Sequence, residues 1–297
     1  MAGKMHVEGA ASAAPESSDA PQLMWARSDI EQRLGFNGAR HTRVNNVLSL
    51  LMASFLTAAF YLVVSRLEGT YFREMFCERG PVPYFIVLFT MWCIAILLIK
   101  WSKLSLQRRA LETAVLPDSP DFVLSPNTVN EVLANLHRIV DDPRHFLVLN
   151  RIQIALSNLR NLGRVTDVDE ILRSQAEHDE AAMDTSYSLL RGFIWAIPVL
   201  GFIGTVLGLS DAIGAFGGML GTVDDVSQIT ASLRNVTGGL AVAFETTLEA
   251  LVAALAIQLF ATFLRKSEEE FLDQAREYCQ KHVVNRLRMT PFEQLVE

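Results

Sequence analysis

The chain has 297 residues, of which 50% are hydrophobic and 20% are charged, and its mean hydropathy is +0.24. This hydropathy exceeds that of ordinary soluble domains and favours a membrane protein. The net charge of −7 argues against a nucleic-acid partner, because nucleic-acid-binding surfaces are basic. The three cysteines, Cys77, Cys93 and Cys279, are too widely spaced for a metal-binding or redox motif, and we expect no cofactor and no metal ion.

The N-terminal third of the chain changes from polar to apolar. Residues 1–22 are rich in alanine, serine and proline, which predicts a disordered tail and no signal peptide. Residues 23–44 predict a short amphipathic helix at the membrane surface. Apolar stretches at 47–64 and 82–101 are each long enough to cross a hydrocarbon core of ~30 Å. We therefore predict that residues 23–101 hold this helix and two transmembrane helices.

The following segment, residues 102–188, is polar and has helical periodicity. Residues 126–142 and 143–163 predict two helices, because their apolar side chains recur at three- and four-residue spacing. A third helix is predicted to begin near Thr166 and to continue into the next apolar stretch. We interpret the segment as a helical cytoplasmic region between the second and third spans.

The third apolar stretch has no ionisable side chain from Phe193 to Leu209, yet it contains helix-destabilising residues. In a soluble helix each glycine costs roughly 1 kcal/mol and a proline about 3 kcal/mol, whereas membrane helices accept both. At 100° per residue the small residues form a groove around the Thr205 hydroxyl, facing another helix or a water-filled path. We predict packing and gating roles for Pro198, Gly201, Gly204 and Gly208.

The fourth apolar stretch, residues 238–264, carries Glu245, Thr246, Thr247, Glu249 and Gln258. Carboxylates in a span cost about 2.5–3.5 kcal/mol each, so they are rare unless they face a protein interior or a pore. Glu245 and Glu249 point about 160° away from Thr247 at helical spacing, so both sets cannot line the same narrow pore.

Polar groups in both spans suggest an ion path, with residues 189–264 as the channel core. The candidate pathway residues are Thr205, Thr247, Thr246 and Glu245. Simpler interpretations remain open at this point. A membrane threonine can bond the carbonyl four residues earlier in its own helix, and the glutamates can serve contacts between helices or subunits.

Two further segments complete the organisation of the chain. Residues 211–237 are rich in glycine and predict a loop between the third and fourth spans. After the fourth span, Arg265 and Lys266 are predicted to open a cytoplasmic C-terminal helix within residues 265–297. Its apolar stripe predicts packing on the polar region or on a neighbouring subunit.

Basic residues near the spans predict the orientation, because they accumulate on the cytoplasmic side. Nine lie on one side in a four-span topology: Arg40, Arg43, Lys100, Lys103, Arg108, Arg109, Arg191, Arg265 and Lys266. Four lie on the other: Arg66, Arg73, Arg79 and Arg234. Both termini are therefore predicted to be cytoplasmic.

The sequence contains no pattern typical of a catalytic centre. It has no phosphate-binding glycine-lysine loop, no zinc-protease motif and no nucleophile elbow. The six histidines all lie outside the predicted spans. We predict no catalytic residues and no enzymatic activity, and energy for any transport has to come from elsewhere than a nucleotide site in this chain.

The two polar spans resemble a known family. IPVLGFIGTVLGL, followed by LRNVTGGLAVAFETTLEALVAALAIQL, is similar to the paired core helices of the MotA/TolQ/ExbB proton channel family. The likeness lies in Gly-Thr-Val at 204–206, Gly-Leu at 208–209 and the Gly-Leu-x-x-Ala-x-x-x-Thr run at 239–247. It covers residues 190–265. Four spans with a cytoplasmic segment between the second and third resemble the MotA arrangement more than the three spans of TolQ and ExbB.

This resemblance implies a homo-pentamer in the bacterial inner membrane around a MotB- or ExbD-type dimer of single-span proteins. The proton-carrying aspartate would belong to that partner, and ion flow would turn the pentamer about it. Thr205 and Thr247 match the family's polar pore positions, and Pro198 resembles its third-span proline. TolQ and ExbB have a glutamate where this chain has Val242; Glu245 is a candidate substitute or a subunit contact.

Several alternatives stay open at the level of sequence. The threonines are compatible with proton or sodium coupling, and the motor is compatible with a flagellar stator, a TolQ/ExbB-like energiser or a defence-system motor. A second hypothesis is a non-conducting membrane scaffold whose cytoplasmic helices recruit a partner. A membrane enzyme is the third and has no motif to support it.

Overall fold

The computed structural model describes residues 24–25, 29–36, 41–113, 124, 128–162, 165–219 and 226–287. Within these residues the long elements are all helices, and an isolated β-bridge joins Leu124 to Leu287. The long helices are α1 (Asn46–Ser65), α2 (Val82–Glu112), α3 (Val129–Ile139), α4 (Leu147–Leu162), α5 (Val165–Ser186), α6 (Ser188–Met219) and α7 (Val226–His282). The predicted all-helical fold is thus confirmed, and the predicted tail at 1–22 lies outside the described residues.

Four helical segments are long and apolar enough to cross a membrane, in agreement with the four predicted spans. The first is α1. Asn45 caps its N-terminus, because the Asn45 side-chain oxygen accepts a hydrogen bond of 2.9 Å from the Val47 amide. The second is α2, and the third and fourth lie within Asp167–Gly214 and Val236–Arg286.

Helix α2 extends about one-third of its length beyond the predicted second span at 82–101. Its last turns leave the apolar stretch but stay buried, because Lys100, Lys103 and Gln107 each find polar partners in the surrounding helices. The second span and the start of the polar region therefore belong to one continuous helix.

The third predicted helix of the polar region does run into the third span, as expected. Only Tyr187, in a turn, separates α5 from α6. Its amide still bonds the Asp184 carbonyl at 3.2 Å, and Arg191 N bonds the Tyr187 carbonyl at 2.9 Å. The last helix of the polar region and the third span are therefore joined with a single residue between them.

The predicted loop at 211–237 is much shorter in the structure, since α6 continues to Met219 and α7 begins at Val226. A helix that has already formed extends at low cost, and a glycine such as Gly214 adds only about 1 kcal/mol relative to alanine. The predicted start of a separate helix at Arg265 is also wrong, because α7 runs through this position without a break.

The N-terminal segment packs on the polar region. Trp25 is fully buried, stacks on His145 at 5.4 Å between ring centroids and meets Phe146 edge to face at 5.3 Å. Its backbone amide donates a hydrogen bond of 3.1 Å to Asp141. Of the helix predicted at 23–44, the structure describes one short turn of helix, Ile30–Arg33.

Candidate functional site

Helices α6 and α7 pack closely along the third and fourth spans, and glycines permit the approach. A Cβ atom added to Gly201 would lie 2.6 Å from the Ala250 Cβ atom, and one added to Gly208 would lie 3.0 Å from the Gly239 carbonyl oxygen. Gly204 is equally crowded, because its added Cβ would lie 2.6 Å from the Thr246 hydroxyl. Any side chain at these positions would push the two helices apart.

This close packing brings Thr205 of α6 and Thr247 of α7 together, and their hydroxyls hydrogen-bond each other. Each hydroxyl also lies near one carbonyl from each helix. Thr205 Oγ1 is 3.2 Å from both the Gly201 and Ala243 oxygens, and Thr247 Oγ1 is 3.1 Å and 3.2 Å from the same two oxygens. Four oxygens therefore converge on one half-buried point between the spans.

A hydroxyl has one proton to donate, so these bonds are alternatives among which each threonine can switch. The expected bond from Thr205 to its own helix is present, to the Gly201 carbonyl four residues earlier. The bonds to the other helix add a connection that a purely local role would not require.

Thr246 lies elsewhere, on the buried face of α7 against Gly204. Its hydroxyl donates to its own helix, at 3.1 Å from the Val242 and Ala243 carbonyl oxygens. Pro198 lies inside α6 and removes one backbone donor from the helix.

Glu245 also lies away from the threonine pair. Its Oε2 is 2.9 Å from Nε of Arg79, and its Oε1 accepts a hydrogen bond of 2.6 Å from the Tyr71 hydroxyl. Arg79 also pairs with Glu74 at 3.0 Å. The hydrogen bond to Glu245 raises the pKa of the Tyr71 hydroxyl, because losing the phenolic proton would place two negative charges side by side.

The four predicted pathway residues thus divide into three environments. Thr205 and Thr247 hydrogen-bond each other, and Thr246 packs against α6. Glu245 forms an ion pair with Arg79, in the segment between α1 and α2. Sequence reasoning used Arg79 only as one of the basic residues that predict the orientation, and it gave Tyr71 no role. Their separation from Glu245 along the chain leaves no local spacing pattern that would reveal the contact.

Beyond the apolar stretches, a buried ionic cluster connects α2 with α7. Lys100 is 1% exposed, and its Nζ lies 3.3 Å from Glu268 Oε2 and 4.1 Å above the centroid of the Tyr187 ring. The Tyr187 hydroxyl donates to the same carboxylate oxygen at 2.7 Å. This cluster joins the second span, the start of the third and the continuation of the fourth.

A second buried lysine, Lys103, anchors the N-terminal segment. Its Nζ lies 2.6 Å from Glu31 Oε2, 2.7 Å from the Arg43 carbonyl oxygen and 4.0 Å from Asp29 Oδ2. Neither carboxylate oxygen of Asp29 has a hydrogen-bond partner. Burial raises the pKa of Asp29, and the charge of Lys103 opposes this shift.

The described residues contain no cluster of three or more histidine, cysteine, aspartate or glutamate side chains that could hold a metal ion. The polar groups described in the two core spans are hydroxyls, backbone carbonyls and carboxyl groups. Such groups hydrogen-bond, solvate cations and relay protons.

Comparison with known proteins agrees with this chemistry. The model of the MotA/TolQ/ExbB proton channel family matches residues 147–277, which run from the start of α4 into the final turns of α7. No curated protein and no solved structure matched the chain. The match confirms the resemblance found in the sequence. Proteins of this family are channels, not enzymes, which agrees with the prediction of no enzymatic activity. Residues 147–277 therefore form a MotA/TolQ/ExbB proton channel family domain in a multi-pass membrane protein.

Proposed function

We propose that this chain is the channel subunit of a rotary motor driven by ion-motive force in a bacterial inner membrane, and that the ion is a proton. Five copies would surround a MotB- or ExbD-type dimer of single-span proteins. The observation that carries the proposal is the convergence of the Thr205 and Thr247 hydroxyls with two backbone carbonyls where α6 and α7 pack closely together.

The chemistry of this pair explains why a partner is required. Hydroxyls and carbonyls are neutral, so they can pass a proton or solvate it but do not hold it as a base at neutral pH. A carboxylate would serve as that base, and Glu245 of this chain is already paired with Arg79. Following what the family resemblance implies, we propose that the proton-carrying acid belongs to the partner and lies opposite the threonine pair.

The other predicted site residues then have supporting roles. Gly201, Gly204 and Gly208 allow the approach that lets each threonine reach the opposite helix. Thr246 fills the contact against Gly204. Pro198 weakens the α6 backbone within the third span, where a bend during gating would cost least.

We also propose that both termini lie in the cytoplasm, with residues 102–188 and 265–297 forming the cytoplasmic part. The excess of basic residues on that side supports this orientation. Arg79 and the other residues between α1 and α2 would lie at the opposite, outer face.

The alternative function is a non-conducting scaffold. One observation favours it: both threonine hydroxyls are already hydrogen-bonded within the chain, as a purely structural clasp would require. The cytoplasmic helices would then recruit a partner, and no ion would pass. Within the motor proposal, flagellar, TolQ/ExbB-like and defence machinery are all compatible with this site.

Thr205→Val separates the two functions, because valine keeps the volume of threonine and removes the hydroxyl. The chain would be reconstituted in liposomes with a single-span protein of the MotB or ExbD type, and proton flux would be measured with a pH-sensitive dye. We expect flux to fall about tenfold or more, which corresponds to about 1.4 kcal/mol of lost stabilisation on the path.

Two controls accompany this variant. Thr205→Ser keeps the hydroxyl and should keep most of the flux. Thr57→Val removes a hydroxyl that bonds only its own helix in α1, at 2.8 Å from the Ala53 carbonyl oxygen, and should have no effect on flux. Full flux in Thr205→Val would place Thr205 in a structural role.

Electron microscopy of the purified complex tests the assembly independently. Five-fold symmetry around one or two central helices would support the motor. A dimer, or a closed ring without central density, would contradict it and favour the scaffold.

A further inference from the structure

A second carboxyl group lies inside the membrane-spanning bundle and has no part in the proposed pathway. Glu249 of α7 is 8% exposed, and neither of its carboxylate oxygens has a hydrogen-bond partner. It lies four residues after Glu245, on the side of α7 about 160° away from Thr247. Glu245, by contrast, pairs with Arg79 and accepts a hydrogen bond from Tyr71.

Tyrosine hydroxyls of the bundle do not supply a donor to the Glu249 carboxyl group. The Tyr61 hydroxyl of α1 is buried and also lacks a hydrogen-bond partner, so it does not bond Glu249. The Tyr84 hydroxyl of α2 donates to the Cys77 carbonyl oxygen at 3.3 Å. Glu249 is therefore a buried carboxyl group without a hydrogen-bond donor among the described residues.

Cations do not balance a charge on Glu249. Arg79 is the basic residue that reaches the adjacent turn of α7, and it is committed to Glu245 and Glu74. Among the ion pairs of the described residues, none includes Glu249. An unpaired carboxylate in an apolar interior costs several kcal/mol, whereas the protonated acid is neutral and carries an O–H donor.

We propose that Glu249 binds a proton and forms a second proton-binding site in the membrane, separate from the Thr205–Thr247 pair. The neutral acid avoids the cost of an unpaired charge in the apolar interior. The site lies on the side of α7 that does not contact the threonine pair. It does not depend on ion conduction and can be tested separately.

Infrared spectroscopy detects the proton directly, because a protonated carboxylic acid has a carbonyl stretch well separated from that of a carboxylate. The full-length protein would be measured in lipid at neutral pH, together with Glu249→Gln and Glu245→Gln. We expect a protonated-acid band that is lost in Glu249→Gln and kept in Glu245→Gln. An unchanged band in Glu249→Gln, or no such band in the unsubstituted protein, would overturn the proposal and indicate an ionised Glu249.

A further measurement keeps the test independent of the folding of Glu249→Gln. Labelling the unsubstituted protein with 13C-glutamate should move the band to lower frequency. A band that stays in place belongs to an aspartic acid such as Asp29 and contradicts the assignment.

Discussion

The two halves of α7 are attached to their neighbours by different chemistry. In the channel core, α7 meets α6 through glycine, alanine and threonine, with helix backbones almost in contact. Beyond the apolar stretch, the same helix meets α2 through a buried lysine–glutamate pair. Lipid offers no hydrophobic driving force between helices, so close packing and hydroxyl bonds hold the first half. Where polar side chains leave the lipid, charges can be buried in pairs.

The difference has a mechanical consequence for the proposed motor. The described contacts between α6 and α7 in the spans are made by glycine, alanine and threonine, so a small sliding or bending movement there would break no ion pair. The Lys100–Glu268–Tyr187 cluster fixes where three helices leave the channel core. We expect the cluster to transmit movement between the core and the polar region, and the substitutions below test each half of the helix.

The largest effect is expected from Lys100→Met. The substitution leaves Glu268 buried without its cation, and breaking a buried pair in this way costs about 3–5 kcal/mol. Thermal unfolding of the purified protein, followed by circular dichroism, would measure the loss. Lys266→Met serves as the matched control. Lys266 lies on α7, two residues before Glu268, and is mostly exposed, so its substitution should give no measurable change in stability.

The double variant Lys100→Met/Glu268→Leu should regain much of this stability, since no buried charge remains without a partner. If it were as unstable as Lys100→Met alone, the loss would come from packing, and the charge argument for this half of α7 would be wrong.

A smaller effect is expected in the other half from Gly201→Val. The new side chain would meet Ala250 at less than contact distance, and overpacking of this kind costs about 1–3 kcal/mol. Gly192→Val places the same side chain in α6 where the structure leaves open space. The two variants should therefore differ in thermal stability, and equal stabilities would contradict the close approach of α6 and α7.

The smallest effect concerns the pH dependence of stability through Asp29. Its pKa is raised from 3.8 in the folded protein, so the folded state holds a proton that the unfolded state releases. The resulting contribution to stability is complete below pH 3.8 and is lost as the pH rises through the folded pKa. Asp29→Asn should remove this part of the dependence and be slightly more stable than the unsubstituted protein at neutral pH, as measured by thermal unfolding across the range. Parallel curves for the two proteins would contradict the assignment.

Local patterns in the sequence were sufficient for much of the architecture. The four spans, the helices of the polar region and the small-residue face around Thr205 all follow from hydropathy and helical spacing, which depend on neighbouring residues only. The opposite directions of Thr247 and Glu245 on α7 follow from the same geometry, and the structure agrees with them.

Lys100 and Lys103 illustrate what spacing alone does not reveal. In the sequence they lie at the end of an apolar stretch that is predicted to be cytoplasmic, where exposed cations are usual. In the structure both are almost completely buried, because Glu268 and Glu31 come from distant parts of the chain to pair with them. The partners lie 168 and 72 residues away, and no short pattern encodes such a pairing.

By itself, then, the sequence determined an all-helical membrane protein with four spans, a pair of spans bearing threonines, and the family of its channel domain. These properties depend on composition and helical period. Only the tertiary structure decided that Thr205 hydrogen-bonds Thr247, that Arg79 pairs with Glu245, and that Glu249 has no hydrogen-bond partner. The physical reason is that packing brings together side chains from separate helices, and their contacts determine which polar groups are satisfied and which remain free to bind a proton.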